Sequence, residues 1–230
     1  MCQPISGIIL KDRILFSESS HSHTDILNEH KIQDDDLSRV NFVRAELVPK
    51  NEDMFSDIDT WNFIVDQDIV PEWFMEECER PRMVDAVKEY AKTHIHICKP
   101  RFKLATGIHW IKDCNDVILS GDVNVLILEN SRVDTMRESS QVGEMWGNSR
   151  VGTMWENSQV DTMRESSQVG DMRDSSQVGE MWGNSRVGVF SQKVDINLID
   201  LNNRAVIHDF ANDCIYHSGI WTFKTKEAKK

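Results

Sequence analysis

The chain has 230 residues, of which 40% are hydrophobic, and its formal net charge at pH 7 is −12. The length suits one large domain or two modest ones. An acidic surface disfavours direct binding to nucleic-acid phosphates, and no apolar run reaches the roughly 18 residues that a membrane helix needs. The start lacks a basic secretory leader and the five cysteines have no CxxC spacing. We therefore expect a cytoplasmic protein with reduced thiols and no membrane or nucleic-acid partner.

Residues 1–112 predict a small α+β module with a capping or recognition role. Apolar runs on both sides of Lys11 and Asp12 indicate a hairpin over 5–16, and Ser22 or Thr24 can cap a short helix. Two further strands are expected where apolar and polar residues nearly alternate, at 40–48 and 61–65.

The rest of this module contains a longer helix. It is expected to begin near Pro71, to stop or restart at Pro81 and to end near Thr93, since apolar residues recur with helical spacing. The next segment alternates as a strand. That alternation places His94 and His96 together on one face, where they are expected to point to solvent.

Seven copies of a nine-residue unit follow between Ser131 and Phe190. Valine recurs every ninth residue from Val133 to Val187, and methionine follows three residues later in six units, with Phe190 in the seventh. A nine-residue unit cannot bury its own apolar side chains, so the units must stack to form a core. Residues 113–223 are therefore predicted to be a β-solenoid of the parallel β-helix or β-roll type, with Val and Met inside.

The seventh position of the unit indicates the size of the coil. A coil of two units, about 18 residues, stacks Arg and Trp alternately on two faces, whereas a triangular coil of three units stacks like on like. Strands about 4.8 Å apart let a guanidinium lie on an indole. We therefore favour two units and predict a binding surface of two columns: Arg137, Trp155 and Arg173 on one face, and Trp146, Arg164 and Trp182 on the other.

In the second position, Gln141, Gln159 and Gln177 are expected to form one column and Arg132, Arg150, Gln168 and Arg186 another.

The same cycle weakens towards both ends of the solenoid. Residues outside the regular units continue the apolar columns: Val117 and Val125 before them, and Ile196, Ile199, Val206 and Ile215 after them. A C-terminal cap is expected from Ile220, Trp221 and Phe223, followed by a charged tail at 224–230.

The first module offers weak candidates for chemistry. His94 and His96 can hold zinc if Asp66, Asp68 or His109 converges on them, but two ligands do not make a site. The string Asp57, Asp59, Asp66 and Asp68 lacks the spacing of a calcium loop and is read as a solvated acidic loop. We therefore predict no metal and no cofactor.

Cys2 is the one candidate nucleophile. If Met1 is removed, its thiol lies beside its own amine, as in one class of amidohydrolases. The start MCQPISGII resembles the MCGI opening of the glutamine amidotransferases but lacks the glycine directly after cysteine. This resemblance implies an amide-hydrolysing activity in the first module, which remains an alternative hypothesis.

The layout of the whole chain resembles a group of phage proteins that are also encoded by bacteria with phage-like genes. The segments that carry the resemblance are MCQPISGIILKDR, VNFVRAELVPK, VDQDIVPEWF and WIKDCNDV, followed by Ser/Val-rich short tandem repeats. The resemblance implies an N-terminal α+β module before a β-solenoid. It implies no activity.

Our leading functional hypothesis is a non-enzymatic β-solenoid that serves as a protein-binding scaffold, with self-association through its ends or faces as one form of partner. The alternatives are the N-terminal-Cys amidohydrolase and a DNA mimic built as an acidic rod. A DNA mimic predicts continuous rows of carboxylates along the solenoid, whereas the repeat positions carry many Arg side chains.

Overall fold

The computed structural model describes residues 4–34, 40–196 and 199–218. They divide into two compact units. The first comprises the described residues up to 99 together with 106–112, and the second comprises 100–105 and the described residues from 113 onwards. No helix in these ranges is long and apolar enough to cross a membrane.

A four-stranded antiparallel sheet forms the centre of the first unit. Ile8 pairs with Leu15, which confirms the hairpin expected over 5–16. Leu15, Ile26, Leu27 and Phe42 pack around Ile8 as an apolar core. The order in the sheet is β2-β1-β3-β4, with these bounds: β1 Ile5–Ile9, β2 Ile14–Leu15, β3 Val43–Val48 and β4 Asn62–Val65.

Two helices accompany this sheet, α1 at His23–Glu29 and α2 at Glu76–His94. The Ser22 side chain caps α1 by accepting a hydrogen bond from the backbone N–H of Asp25, as one of the two predicted caps. The apolar stripe of α2 is buried, as predicted, but the helix begins at Glu76 rather than near Pro71 and continues through Pro81. The carbonyl that loses its donor to Pro81 belongs to Glu77, an exposed residue near the helix start, where the loss is tolerated.

The histidines at the end of α2 and in the strand that follows are buried. β5 at Ile95–Ile97 pairs in parallel with the second half of β6, Pro100–Lys112, so that Ile95 lies beside Trp110. His96 is buried and Ile97 is exposed, and His94 is the buried last residue of α2. The expectation of two solvent-facing histidines is therefore wrong.

The second unit is the predicted solenoid, with about six coils of about 18 residues. β7 at Asn115–Glu129 supplies one strand to each of two faces, with Gly121 at φ +90° between them. The following strands alternate between the faces: β8 Arg132–Arg137, β9 Gln141–Trp146, β10 Arg150–Met154, β11 Gln159–Met163, β12 Gln168–Met172, β13 Gln177–Met181 and β14 Arg186–Val189.

Strand register confirms a coil of two units. Arg150 pairs in parallel with Arg132 on one face, and Gln159 pairs with Gln141 on the other, in each case 18 residues apart. The Val and Met columns predicted for the core are buried along both faces, from Val133 and Met136 onwards. Val117 and Val125 of β7 begin these columns, also as predicted.

The corners between strands combine a residue of positive φ with a buried serine. Each regular corner has a residue with positive φ directly after the Arg or Trp, such as Glu138 at 58° and Gly183 at 73°. The serine that ends the corner and opens the next unit is buried at all seven positions, from Ser131 to Ser185. Serine therefore lies inside the coil beside Val and Met, because only a small side chain fits where the chain turns around its own core.

The last coils depart from the expected columns. Val189, not Phe190, occupies the Met column beside Met172, because the chain has one residue fewer between Val187 and Val189 than between Val169 and Met172. Ile207, rather than Val206, lies beside Val187, and exposed Ile215 belongs to an antiparallel strand. The bounds here are β15 Asp200–Leu201, β16 Val206–Asp209 and β17 Cys214–His217. The expected cap at Ile220, Trp221 and Phe223 and the tail at 224–230 lie outside the described residues.

Candidate binding surface of the solenoid

Two Arg and Trp pairs of the seventh position stack, one pair on each face. The Arg173 guanidinium lies 4.8 Å from the centre of the Trp155 ring, and the Arg164 guanidinium lies 4.9 Å from that of Trp146. In both pairs the Arg follows the Trp by one coil. A contact of this kind at a partly exposed site contributes about 0.5–1 kcal/mol, and it holds both side chains in one conformation.

Carboxylates on the same two faces hold these stacks in place. Arg173 pairs with Asp171 through an Nε···Oδ2 distance of 2.6 Å. On the other face, the Trp146 indole N–H donates to Glu144 at 2.7 Å, and the same carboxylate lies 3.5 Å from Nε of Arg164. Each stacked guanidinium therefore has an acidic partner, and this ion pair reduces the conformational freedom of the arginine side chain before any ligand binds.

Backbone hydrogen bonds identify which residues share a column. The backbone N–H of Trp155 donates to the Met136 carbonyl one coil earlier, and that of Arg173 donates to Met154. Phe190 and Phe210 continue this pattern through the carbonyls of Met172 and Val189. We call this column the Trp155 ladder: Arg137, Trp155, Arg173, Phe190 and Phe210. The column on the opposite face is the Trp146 ladder: Trp146, Arg164 and Trp182.

The Trp155 ladder is the more apolar of the two at its C-terminal end. The rings of Phe190 and Phe210 stack with centroids 4.3 Å apart, and their exposed fractions are 47% and 48%. Nearer its start, Arg137 and Trp155 border a shallow depression of about 180 Å³, which Glu156 and Asp174 complete. This ladder thus offers stacked aromatic rings, guanidinium groups and carboxylates in one row.

The sequence gives a partial view of this surface. Alternation of Arg and Trp predicts the stacks that the structure contains, and the Gln and Arg columns of the second position are in register as expected. The two phenylalanines were missed because Phe190 falls three residues after Val187, in the place of a buried methionine. The short spacing Val-Gly-Val-Phe, which lacks one residue before the aromatic side chain, is the signal that identifies it.

The histidines of the first unit form a separate buried cluster. His96 Nε2 lies 3.2 Å from His109 Nδ1, and His109 Nε2 donates to the Thr106 carbonyl at 2.9 Å. His94 Nε2 lies 2.9 Å from the Glu18 carboxylate, while its Nδ1 lies 2.8 Å from the Tyr90 carbonyl. The ring nitrogens of His94 and His96 are thus engaged with separate partners, and only His109 of the proposed zinc ligands joins them.

Burial keeps several of these side chains neutral. It lowers the pKa of His96 to about 4, with repulsion from His109, Lys99 and His94 acting in the same direction. Burial also lowers the pKa of His21, to about 4, and lowers that of His109. The pKa of Tyr90 is raised, chiefly by burial. His21, His96, His109 and Tyr90 are therefore neutral near pH 7.

The remaining candidates separate from one another. Cys2 lies outside the described residues. Asp57 caps a short 3-10 turn, and Asp59 pairs with Lys88 at 2.6 Å. Asp66 lies 3.2 Å from His23, a histidine of the Ser-rich segment rather than one of the predicted pair. The acidic string is thus not one loop with one role.

Comparison with known proteins adds no relationship. A scan against protein-family models finds no match, and searches of curated proteins and of solved structures find none either.

Proposed function

We propose that the protein is a non-enzymatic, cytoplasmic scaffold of phage or mobile-element origin that binds a protein partner along the Trp155 ladder. The observation that carries the proposal is a row of stacked, partly exposed Trp, Arg and Phe side chains, in register along one face. Trp and Arg are the residues most often found at the energetic centres of protein interfaces.

Preorganisation supports a binding role for this row. Holding a flexible side chain still in a complex costs about 0.5–1.5 kcal/mol. Arg173 is already stacked on Trp155 and paired with Asp171, so much of that cost is met during folding. The exposed Phe190 and Phe210 rings extend the row with apolar area that a partner can cover.

The experiment is partner capture with the full-length chain and single-face variants. Alanine at Trp146, Trp155 and Trp182 together is expected to abolish capture of protein partners from host lysate, with strand content unchanged by circular dichroism. Trp155→Ala and Arg173→Ala alone are expected to reproduce this loss. Trp182→Ala is the matched control, because it removes an exposed tryptophan from the opposite face.

Two outcomes contradict the proposal. Equal recovery of partners by the triple variant and the unmodified chain excludes the ladders as the binding surface. Loss of capture with Trp182→Ala but not with Trp155→Ala moves the surface to the opposite face. Sedimentation over a range of protein concentrations identifies the case in which the partner is a second copy, because only then does the mass depend on concentration.

A further inference from the structure

His23, Glu46 and Asp66 bring three potential metal ligands together in the first unit. One donor atom of each lies within 4.8 Å of the others. They come from three separate elements: His23 is the first residue of α1, Glu46 lies in β3, and Asp66 directly follows β4. We propose that these residues form a site for a divalent transition-metal ion, with Zn²⁺ as the best match to one imidazole and two carboxylates.

The surroundings of His23 make its Nδ1 atom the ligand. Its Nε2 lies 3.2 Å from the Ala45 carbonyl, which can only accept a hydrogen bond, so Nε2 carries a proton. This is the backbone contact that commonly orients a metal-bound histidine. In the neutral ring, Nδ1 then presents a lone pair to the Asp66 carboxylate 3.2 Å away. Two facing lone pairs repel each other unless a cation lies between them.

The distances suit zinc. Bonds of about 2.0–2.1 Å in a tetrahedral zinc site place neighbouring ligand atoms about 3.3 Å apart. The distance between His23 and Asp66 already has this value to within about 0.1 Å. Because Asp66 is the exposed member and Glu46 is half-buried, side-chain rotation can close the remaining gap and leave a position open for water.

Surrounding groups fix the ligands as they do in metal centres. Ser6 donates a hydrogen bond to Glu46 Oε1 at 3.3 Å from the neighbouring strand β1. The backbone N–H of Asp66 donates to the Arg44 carbonyl, which holds the start of the loop against β3. His23 is 9% exposed, so its ring is held by packing as well.

The test is titration of the full-length chain with ZnCl₂ by isothermal calorimetry, with MgCl₂ as the comparison ion. Asp66→Asn and Glu46→Gln are expected to weaken zinc binding at least ~10-fold, and Ser6→Ala to weaken it by about 10-fold through the orientation of Glu46. Asp68→Asn is the matched control, because it removes a carboxylate from the same loop and is expected to leave zinc binding unchanged.

Two other results overturn the proposal. Zinc binding that persists in Asp66→Asn and Glu46→Gln but disappears in His96→Gln assigns the metal to the buried histidine cluster. Absence of zinc binding to the unmodified chain shows that His23 and Asp66 form a direct pair with no metal between them. A nitrogen-15 spectrum of the ring separates these cases, because zinc displaces the resonance of His23 Nδ1 whereas a proton adds a coupled N–H signal. Neither result bears on the Trp155 ladder.

Discussion

At the scale of single residues, the serines of the corners differ in how their hydroxyl groups are satisfied. The Ser149 hydroxyl donates a hydrogen bond to the Leu128 carbonyl at 2.7 Å and also accepts one from the backbone N–H of Ser131. The hydroxyl oxygen of Ser158 is buried and has no hydrogen-bond partner among the described residues. Both positions are closed to solvent, so the same substitution has different effects at the two sites.

We expect Ser158→Ala to leave the free energy of unfolding unchanged or to raise it by up to ~1 kcal/mol, because it removes a buried polar group without a partner. Ser149→Ala is expected to lower it by about 1 kcal/mol, since it breaks a buried hydrogen bond. Urea unfolding of the two variants measures the difference. A larger loss in Ser158→Ala than in Ser149→Ala would contradict this account of the corner.

The buried histidines predict a pH dependence of the first unit. The pKa values of His21 and His96 are lowered from 6.5 to about 4 in the folded chain, so the unfolded chain binds more protons between these values. Their neutral forms therefore stabilise the fold fully above pH 6.5, and this stabilisation, up to about 3 kcal/mol for each, is lost as the pH falls towards 4.

Hydrogen exchange at β5 and the end of α2, corrected for the intrinsic pH effect, measures this loss. Protection is expected to fall between pH 6.5 and 4, and His96→Gln is expected to reduce the slope by about one proton. Protection that stays constant over this range would contradict the assignment of neutral, buried histidines.

At the scale of the strand, residues that point into the coil and residues that point out of it contribute differently to the free energy of unfolding. Met154 is fully buried in β10, whereas Arg173 lies on the surface of the next coil. Met154→Ala is expected to lower the free energy of unfolding by about 2–5 kcal/mol through loss of packing. Arg173→Ala is expected to cost no more than about 1 kcal/mol, because its stacking and ion pair are partly exposed.

Denaturant unfolding of these two variants provides the measurement, with Thr153→Ala of the same strand as a control that is expected to be nearly neutral. If Arg173→Ala proved as destabilising as Met154→Ala, the ladder would be a structural element, and loss of partner capture by that variant would no longer identify a binding surface.

The repeat also shows how far periodicity predicts a strand. The Val and Met columns follow from spacing alone, because identical side chains must meet identical environments in every coil. The coil of two units follows from the order of Arg and Trp at the seventh position. The burial of Ser140 and its equivalents was not predicted, because polar side chains are ordinarily expected at the surface. His94 and His96 were expected outside for the same reason, whereas their rings pack on Tyr90 and His109.

The candidate sites were predictable to unequal degrees. Arg and Trp of the ladders recur at a fixed spacing, so the sequence alone predicts that they stack. His23, Glu46 and Asp66 do not repeat: they lie in α1, in β3 and directly after β4. The sequence pattern did not determine that β3 and β4 are neighbours in the sheet. Pairing of a helix start with two strand positions is a tertiary property, and no local signal marks it.

At the scale of the whole molecule, interchangeable units predict an unusual tolerance to deletion. Removing residues 150–167 takes out two units and brings Gln168 into register with Arg132, with Val and Met still in their columns. Removing only β10, Arg150–Met154, takes out fewer residues but leaves a corner without the apolar pair that follows it. Neighbouring coils contribute most of the stability in such arrays.

We therefore expect the longer deletion to unfold cooperatively at a midpoint close to that of the full chain, and the shorter deletion to unfold at a clearly lower one. Thermal melts followed by circular dichroism make this comparison. A shorter deletion that is the more stable of the two would show that register between coils is not what holds the solenoid together.

The parallel register of the coils also makes the solenoid a ruler. Each coil advances the chain by the spacing between hydrogen-bonded strands, about 4.8 Å. The distance from Arg137 to the last ring of its ladder can therefore change only in whole steps, one for every two units gained or lost. A partner that contacts two points along this row needs a fixed number of coils between them. Duplication of units would therefore change the distance between the two contacts in steps of one coil.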